Sequence, residues 1–375
     1  MKVVDVSFFY NDTAASTTEL LQQHDTTMRC TAALQQNGVD VVVVKRFNKN
    51  ETQQHSGVQF YFIKDIFKGR LRPWQIPINL LLKIKQLKPD VVQLHGFMFP
   101  VLVIVLRMIL KKRTAVFIQY HSEPGIKGIK GFLYKRMNNL ANGFLFVAKE
   151  QALQSFVASN SEHKIMPVME GSTIFKKYDK TTARNITELT GNPIFIWVGR
   201  LNENKDPLTV LNGFEQLLKK VEEAKLYMLY SSEELLQKVT EKINQSAALK
   251  AAVHLLGKVP HDKLEAYYNS ADYFVLGSHY EGSGYALCEA LACGCVPIVT
   301  NIPSFITMTN NGKIGALWQP GNSASFVQAA MLALQKNKEK ESIACVQFFN
   351  QQLSFTAIAQ TTIGYYKTAI HKQTS

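Results

Sequence analysis

Residues 272–299 read DYFVLGSHYEGSGYALCEALACGCVPIV and predict a strand, a glycine-containing loop, a helix and a second strand. Both strand segments are short apolar runs with little alternation, which is typical of strands buried on both faces of a parallel sheet. Small residues in the loop allow a ligand to approach the backbone, and the free N–H groups at the start of a helix favour an anionic or hydroxyl-rich ligand. The segment therefore predicts an α/β domain with a binding site at the carboxyl ends of its strands.

Two glutamates in this segment are candidate binding residues. Glu281 lies on the loop, and Glu289 lies about one and a half turns into the helix. Carboxylates in such positions accept hydrogen bonds from sugar and ribose hydroxyls. Each glutamate taken singly also fits a solvated residue of a capped helix, so the interpretation rests on the combination.

A second motif lies upstream, where residues 198–207 read VGRLNENKDP. A predicted strand ends at Gly199, and Arg200 and Lys205 follow on a loop above the sheet. A planar guanidinium and a mobile ammonium together are suited to neutralising a diphosphate. Many surface loops carry two cations, so this pair alone does not decide the function.

Apolar runs and helix-like stretches alternate along the whole chain, which predicts βαβ units and parallel sheets. The predicted strands are residues 3–9, 39–44, 90–94, 114–119, 143–147, 193–198, 224–230, 252–256, 272–276 and 296–299, and the clearest helices are 18–36, 207–220 and 323–335. A polar stretch at 176–192 interrupts the series. We therefore predict two doubly wound, Rossmann-like domains, 1–185 and 186–354, that face each other across a cleft.

The composition is that of a globular protein with a basic first half. The 375 residues include 42 Lys/Arg and 29 Asp/Glu, and 46% are hydrophobic, which excludes a disordered chain. Residues 1–190 carry 26 Lys/Arg against 14 Asp/Glu, whereas residues 191–375 carry 16 against 15. This asymmetry fits either a solubilising surface or an anionic partner such as a lipid headgroup, a phosphorylated acceptor or nucleic acid.

Several features predict a cytoplasmic protein. Five cysteines in a long chain argue against a disulfide scaffold, and the start MKVVDVSFFYND reads as a buried strand and not as a signal peptide. The longest apolar run, 97–110, is too short to cross a bilayer and predicts a buried or interfacial helix. Cys288, Cys293 and Cys295 lack a complementary ligand pair, so we expect packed small hydrophobes and no metal site.

The segment 64–88 mixes apolar side chains with seven Lys/Arg residues, a composition that suits an anionic membrane interface. Its second part also fits a surface helix with Leu80, Leu81 and Ile84 on the sheet, so residues 64–74 are the candidates for membrane contact. The apolar residues noted in the whole segment are Phe67, Leu71, Trp74 and Ile76. No nucleic-acid-binding module accompanies the charge, and no nucleic-acid partner is expected.

Taken together, these motifs resemble the retaining glycosyltransferases of family 4, which have the GT-B fold. The resemblance spans essentially the full chain and is strongest after residue 193. It is carried by GRLNENK (199–205), LLGKVPHDKLEAYYNSADYFVLGS (255–278), EGSGYALCEALACGCVPIV (281–299), TNIPSFI (300–306), NNGKIGALWQPGN (310–322), KPDVVQLHG (88–96), QYHS (119–122) and GFLFVAKEQ (143–151). The Glu-x7-Glu spacing of Glu281 and Glu289 is its most specific signature.

The resemblance implies roles for individual residues. Arg200 and Lys205 would bind the donor diphosphate and stabilise the departing nucleotide without a metal, and Glu289 would hold the ribose. The implied donor-binding residues are Gly199, Arg200, Lys205, Glu281, Gly282, Ser283, Gly284 and Glu289. His121, which otherwise fits an ordinary loop residue, resembles the active-site histidine of the family, so the implied catalytic set is His121, Arg200, Lys205 and Glu281.

The implied reaction moves a sugar from a nucleotide-sugar donor to an acceptor hydroxyl with retention of configuration and with no cofactor. The acceptor would be a glycan or a lipid-linked molecule in cell-surface polysaccharide or glycolipid synthesis, bound by a basic first domain that meets the inner face of the membrane. A last helix at about 355–375 would return to the first domain. A nucleotide-sugar epimerase on the same fold and a non-catalytic sugar-nucleotide or polyanion-binding protein remain as alternatives.

The sequence departs from the family pattern at three places. No glycine lies between residues 1 and 37, where family members carry a glycine-rich loop. Either residues 11–16 form this loop differently, or the acceptor and phosphate contacts have shifted. Ser283 stands where an aromatic residue is usual, and Glu170 and Gly171 stand where Asn-Gly is common. These departures bear mainly on the sites expected in the first half.

Overall fold

The computed structural model describes residues 1–374 except residues 12, 24, 73, 122–130 and 154–158. It has two compact units, one formed by Met1–Gly171 with Phe355–Ser375 and the other by Ser172–Ser354. The division falls between Gly171 and Ser172, 14 residues before the predicted boundary at 185/186, because the residues from Ser172 onward pack in the second unit. There, Arg184 Nε donates a hydrogen bond of 3.1 Å to the Ser270 carbonyl.

The charge asymmetry of the sequence follows these units. The first unit contains 24 Lys/Arg against 12 Asp/Glu, whereas the second contains 18 against 17. The excess positive charge therefore belongs to the first unit as a folded body.

Fourteen strands form two sheets in the described part of the chain. The strands are β1 (Lys2–Ser7), β2 (Asp40–Arg46), β3 (Glu51–His55), β4 (Val58–Ile63), β5 (Val91–His95), β6 (Ala115–Gln119), β7 (Gly143–Phe146), β8 (Ile165–Pro167), β9 (Ile194–Gly199), β10 (Lys225–Tyr230), β11 (Val253–Gly257), β12 (Tyr273–Leu276), β13 (Val296–Thr300) and β14 (Ala316–Trp318). The first unit has the order β3-β4-β2-β1-β5-β6-β7-β8, and the second has β11-β10-β9-β12-β13-β14. All neighbouring strands are parallel except the β3–β4 hairpin.

Helices connect these strands. They are α1 (Thr17–Gln23), α2 (Asp25–Gln36), α3 (Ile78–Leu87), α4 (Pro100–Ile109), α5 (Gly131–Leu140), α6 (Lys149–Leu153), α7 (Lys180–Thr187), α8 (Pro207–Leu218), α9 (Leu236–Asn244), α10 (Ala247–Ala252), α11 (His261–Ser270), α12 (Tyr285–Ala292), α13 (Pro303–Met308), α14 (Ser323–Gln335), α15 (Lys338–Phe348) and α16 (Phe355–Thr374). Short 3-10 helices occupy Ser159–Lys164 and Glu203–Lys205, and a π-helix occupies Phe349–Leu353. The predicted helix 18–36 is divided into α1 and α2 around His24, which lies outside the described residues.

The prediction of two Rossmann-like domains with parallel sheets is confirmed. In each sheet the strand order reverses once, between β1 and β5 in the first unit and between β9 and β12 in the second. At such a switch point the connections leave in opposite directions, and a crevice forms outside the carboxyl ends of the two strands. The two switch points are therefore where the functional side chains should be sought.

Three sequence expectations concern the apolar segments and the cysteines. In α4, which lies within the predicted apolar helix, Leu102, Val103 and Leu106 belong to the core of the first unit. Cys288, Cys293 and Cys295 are buried, as expected for packed small side chains, and burial raises the pKa of the Cys288 thiol to about 12. Among the described helices, none is both long and apolar enough to span a membrane.

Candidate functional site

Two loops meet at the switch point of the second unit. The loop after β9 carries Lys205, the loop after β12 carries Glu281, and the Lys205 ammonium forms an ion pair with the Glu281 carboxylate. Both side chains are largely buried, with 13% and 11% of their surface exposed. Ser278 Oγ also donates to Glu281 Oε1 at 2.6 Å. Residues that are 76 positions apart in the sequence thus form one polar cluster, as the shared sheet edge requires.

Backbone and side-chain hydrogen bonds connect these two loops and fix their relative position. The amide of His279 donates to the Asn204 carbonyl at 2.8 Å, and Asn204 Nδ2 donates to the Tyr280 carbonyl at 2.9 Å. Gly277 allows this approach, since a Cβ atom there would lie 2.9 Å from the Asp206 carbonyl oxygen. The loop that carries Lys205 therefore has a defined position relative to Glu281.

Arg200 is placed differently from Lys205. It follows Gly199 at the end of β9, it is exposed, and its side chain makes no hydrogen bond or ion pair with a residue that the structure describes. An exposed guanidinium at the carboxyl edge of the sheet is available to an anionic ligand. Of the two predicted diphosphate-binding cations, Lys205 is therefore paired with a carboxylate and Arg200 is open to solvent.

The start of α12 is shaped by Gly284. This residue adopts a left-handed conformation with φ of +61°, and a Cβ atom there would lie 2.8 Å from Phe305 Cε1. Both conditions favour glycine. No side chain caps the helix at this position. Beside it, the hydroxyl of Ser283 is buried without a hydrogen-bond partner among the described residues, which leaves it able to bind a ligand.

Glu289 lies in α12 and is 7% exposed. Its Oε1 contacts His261 Nε2 at 2.6 Å, and its Oε2 accepts a hydrogen bond of 3.0 Å from the Tyr268 hydroxyl. Burial and the Glu289 carboxylate raise the pKa of Tyr268, so this phenol stays protonated as a donor. The side chain of Phe175 stacks on the His261 ring, with 5.0 Å between centroids. Sequence reasoning identified Glu289 but not these neighbours.

A second polar cluster lies at the switch point of the first unit and includes His121. Asp5 Oδ2 lies 2.8 Å from His95 Nε2, and His95 Nδ1 lies 2.8 Å from His121 Nε2. His121 Nδ1 in turn pairs with Glu170 Oε2. Asp5 belongs to β1, His95 ends β5, and His121 follows β6. We call the four residues Asp5, His95, His121 and Glu170 the carboxylate–histidine array.

Exposure of the side chains differs along the carboxylate–histidine array. It rises from 4% at Asp5 to 17% at His95 and 34% at His121, and Glu170 is 11% exposed. The array therefore extends from the buried strand β1 to a partly exposed imidazole at the carboxyl edge of the sheet.

The sequence analysis did not identify Asp5 and His95 as site residues, although the sequence position of each residue is unusual. Asp5 is a charged residue within the apolar run of β1, and His95 directly follows a predicted strand next to the one that precedes His121. Polar residues at the carboxyl ends of neighbouring parallel strands are brought to the same sheet edge. Glu170 was noted only as a departure from a family pattern.

The basic segment of the first unit differs from the expectation in its apolar residues. Leu71 is buried, and Phe67 and Ile76 pack against the core, so these three side chains do not form an exposed apolar surface. Trp74 and Ile66 are exposed, and the Arg72 guanidinium lies 5.8 Å from the centre of the Trp74 ring. A groove of about 360 Å³ is lined by Arg70, Leu71, Arg72, Phe99, Leu133 and Tyr134, among others.

Two family models match the sequence. The model described as Glycosyltransferase Family 4 matches residues 26–154, and the model described as Glycosyl transferases group 1 matches residues 179–344. One match thus falls within each structural unit.

Curated relatives match mainly over part of their length. Mannosylfructose-phosphate synthase of Agrobacterium fabrum is 31% identical over 146 residues, which cover 37% of this chain and 32% of the relative. GDP-mannose:cellobiosyl-diphosphopolyprenol alpha-mannosyltransferase of Xanthomonas oryzae pv. oryzae is 26% identical over 122 residues, or 32% of each chain. The matched region therefore spans about a third of the length of these relatives.

Solved structures match along the full chain. Sucrose-phosphate synthase from Thermosynechococcus elongatus has a TM-score of 0.66 at 16% identity, with 99% of this chain and 100% of that chain covered. Anabaena HepE in complex with UDP and glucose has a TM-score of 0.65 at 13% identity, with 98% and 100% covered. At these identities the likeness concerns the fold. With a family model within each unit and this architecture along its whole length, the chain belongs to the family 4, or group 1, glycosyl transferases and has the GT-B fold.

Proposed function

We propose that this protein transfers a hexosyl group from a nucleotide-sugar donor to a hydroxyl of an acceptor, with retention of the anomeric configuration. The observation that carries this proposal is the Lys205–Glu281 pair, which joins the loops after β9 and β12 at the switch point of the second unit. A cation and a carboxylate held side by side match the two parts of the donor, its diphosphate and its sugar hydroxyls.

Donor binding would rearrange this pair. The diphosphate would take the Lys205 ammonium and the exposed Arg200 guanidinium as its counter-charges, and the released Glu281 carboxylate would accept hydrogen bonds from the sugar. The Ser283 hydroxyl and the uncapped start of α12 would add donors for sugar or phosphate oxygens. Glu289 would hold the ribose hydroxyls, with His261 and Tyr268 fixing the orientation of its carboxylate.

The chemical step would be an electrostatically assisted displacement. The bond between the anomeric carbon and the diphosphate oxygen breaks, the acceptor oxygen attacks from the same face of the sugar, and its proton passes to the departing phosphate oxygen. Lys205 and Arg200 stabilise the negative charge that develops on the leaving group, and no metal is required in this scheme. His121 is the proposed catalytic residue of the first unit, with its ring position set by His95 and Glu170.

The names of similar proteins suggest the donor. One relative is a mannosylfructose-phosphate synthase, another uses GDP-mannose, and the HepE structures contain UDP, glucose or UDP-glucose. We therefore propose a UDP- or GDP-linked glucose or mannose as the donor for this chain.

The first unit would bind the acceptor, a glycan or a lipid-linked molecule of cell-surface polysaccharide or glycolipid synthesis. Its excess of positive charge, its groove with Arg70 and Arg72, and the exposed Ile66 and Trp74 suit the anionic inner face of a cytoplasmic membrane. The protein would then work in the cytoplasm and bind this surface peripherally.

Co-sedimentation with vesicles tests the membrane part of the proposal. We expect binding to vesicles with 30% phosphatidylglycerol, little binding to pure phosphatidylcholine, and a clear loss in the double variant Arg70→Gln and Arg72→Gln. The matched control is Lys219→Gln and Lys220→Gln, two exposed cations on the second unit. Equal binding by the Arg70/Arg72 variant and the wild type would remove the membrane contact from the proposal.

A donor screen tests the transfer itself. We expect one UDP- or GDP-hexose to raise the melting temperature, because a ligand at 100 times its dissociation constant adds about 2.7 kcal/mol to stability. The same nucleotide sugar should then yield free nucleoside diphosphate and a glycosylated acceptor, in the presence of EDTA as well as without it. Conversion of the sugar nucleotide without any acceptor would instead identify an epimerase, and binding without turnover would identify a binding protein.

A further inference from the structure

Lys45 lies near the carboxyl end of β2 and is 7% exposed, yet its ammonium makes no hydrogen bond or ion pair with any residue in the described ranges. The next residue, Arg46, is buried and makes four side-chain hydrogen bonds. Its guanidinium donates to Asp65 Oδ2 at 2.7 Å and to the carbonyls of Phe8, Phe67 and Gly69. The fold thus satisfies one buried cation and leaves its neighbour without a partner.

An unpaired, buried ammonium lowers the free energy of unfolding. Transfer of a charged group out of water is unfavourable unless a counter-charge or hydrogen bonds replace the lost hydration. Burial lowers the pKa of Lys45 to about 8, and the Asp5 carboxylate on β1 limits that shift. Asp5 lies beyond ion-pair distance and uses one of its oxygens to bind His95. Proteins retain such unfavourable groups mainly where the group has a function.

A cavity of about 360 Å³ lies beside Lys45, and Ser7, Tyr10, Asn11 and Thr13 also line it. Ser7 is the direct partner of Lys45 in the parallel pairing of β1 and β2, so both side chains leave the sheet on the same face. Within the described part of the chain, neither the Ser7 nor the Tyr10 hydroxyl forms a hydrogen bond. One ammonium and two hydroxyls therefore line the same space with their donors unused.

Asn11 and Thr13, from the region where a glycine-rich loop was expected, line this cavity. Asn11 Oδ1 accepts hydrogen bonds from the amides of Thr13, at 2.8 Å, and Ala14, at 3.0 Å, and Asn11 Nδ2 donates to Gln23. These hydrogen bonds tie Asn11 to Thr13, Ala14 and Gln23, so its Oδ1 and Nδ2 atoms are already engaged. The donors left for a ligand are those of Ser7, Tyr10 and Lys45.

We propose that this cavity binds a phosphate monoester carried by the acceptor, with Lys45 as the counter-charge and the Ser7 and Tyr10 hydroxyls as hydrogen-bond donors. The inference rests on the proposed glycosyl transfer, since it gives the acceptor its chemical class. A phosphate supplies both the negative charge and the several acceptor oxygens that these three donors lack. A neutral sugar would leave the ammonium uncompensated. A soluble sugar phosphate and the headgroup of a phospholipid share this chemistry.

Isothermal titration calorimetry on the full chain at pH 7 tests the soluble source. Glucose 6-phosphate is the probe, and glucose is the neutral control. We expect the wild type to bind the phosphate at least tenfold more tightly than glucose, and we expect Lys45→Met to lose at least tenfold in affinity. Lys85→Met, which removes an exposed lysine of the same unit, should bind like the wild type. Co-sedimentation with phosphatidylcholine vesicles, with and without 10% phosphatidic acid, tests the lipid source.

Loss of binding in Lys45→Met, in either the soluble or the lipid arm, supports the phosphate site and identifies its source. Equal affinity of Lys45→Met and the wild type in both arms would overturn the inference, as would absence of binding by the wild type in both arms. Nucleotide-sugar affinity is measured on the same samples and should not change in Lys45→Met. If the wild type binds no nucleotide sugar, the proposed function fails, whatever the phosphate result.

Discussion

His95 Nδ1 lies 2.8 Å from His121 Nε2, so the histidine at the end of β5 directly supports the histidine that follows β6. The two rings stack with 5.1 Å between centroids, and the far nitrogen of His95 is anchored on the buried Asp5. This arrangement determines which nitrogen of His121 faces Glu170. His95 is therefore a positioning residue for whatever His121 does.

Replacement of His95 should remove the hydrogen bond that orients the His121 ring. We expect His95→Phe to lower kcat of transfer by about 10- to 100-fold, with the affinity for the nucleotide sugar unchanged, because the proposed donor-binding residues lie in the second unit. His95→Gln, which retains hydrogen-bonding groups, should recover part of the activity. His55→Phe, at an exposed histidine of the same unit, is the control. Equal rates for the Phe and Gln variants would show that the hydrogen bond is unimportant.

Glu281→Gln should separate nucleotide binding from transfer. The Lys205 ammonium would lose its carboxylate partner, and a negative charge near the diphosphate would disappear. We expect the affinity for the free nucleoside diphosphate to rise about three- to tenfold, whereas transfer falls by at least 100-fold. Calorimetry with UDP and GDP and a product assay measure the two effects. If the nucleotide affinity and the transfer rate both fell, this would contradict the proposal that Lys205 leaves Glu281 to bind the diphosphate.

Two glycines should respond in opposite ways to alanine. Gly284→Ala forces a side chain into a left-handed backbone and against Phe305, so we expect a loss of about 1–3 kcal/mol in the free energy of unfolding. Gly364 lies within α16 with open space around it, and Gly364→Ala should add about 0.5–1 kcal/mol. Urea titrations of both variants provide the comparison. Destabilisation by Gly364→Ala would show that its helix tolerates no side chain.

Lys45→Met should make the protein more stable at neutral pH. The pKa of Lys45 falls from 10.5 to about 8 on folding, which corresponds to a penalty of about 3 kcal/mol while both states are protonated. Between pH 8 and pH 10.5 the unfolded chain binds a proton that the folded chain does not, so the penalty is relieved as the pH rises. The stability gain of Lys45→Met over the wild type should therefore be largest below pH 8 and small near pH 10.5. Destabilisation at pH 7 would contradict an unpaired ammonium.

The proximity of Lys205 and Glu281 could be predicted because the two residues follow strongly apolar strands within short, distinctive segments. Gly199, Lys205 and Glu281 each lie within a few residues of a strand end, and the parallel sheet brings those ends together. The terminal bounds of α14 also agree with the sequence pattern. In these parts of the second unit, the local sequence pattern therefore agrees with the observed fold.

The carboxylate–histidine array could not be predicted in the same way. Its members come from four separate parts of the chain, and only the order of β1, β5 and β6 in the sheet makes them neighbours. The strand β3 was missed because it is polar, and β8 and β14 were missed because each has three residues. The strand β4 was missed although its sequence VQFYFI is largely apolar. Strand order and short edge strands are set by tertiary packing, which a single sequence pattern does not encode.

The most direct test of the proposed function is the rate of hexosyl transfer by Lys205→Ala with the nucleotide sugar found in the donor screen. The control is Lys250→Ala, at an exposed lysine of α10 in the same unit. We expect kcat/KM of Lys205→Ala to fall by about 100- to 1,000-fold, since a charge that stabilises the leaving diphosphate is lost, and we expect Lys250→Ala to match the wild type. A Lys205→Ala variant that transfers hexose at the wild-type rate would contradict the account.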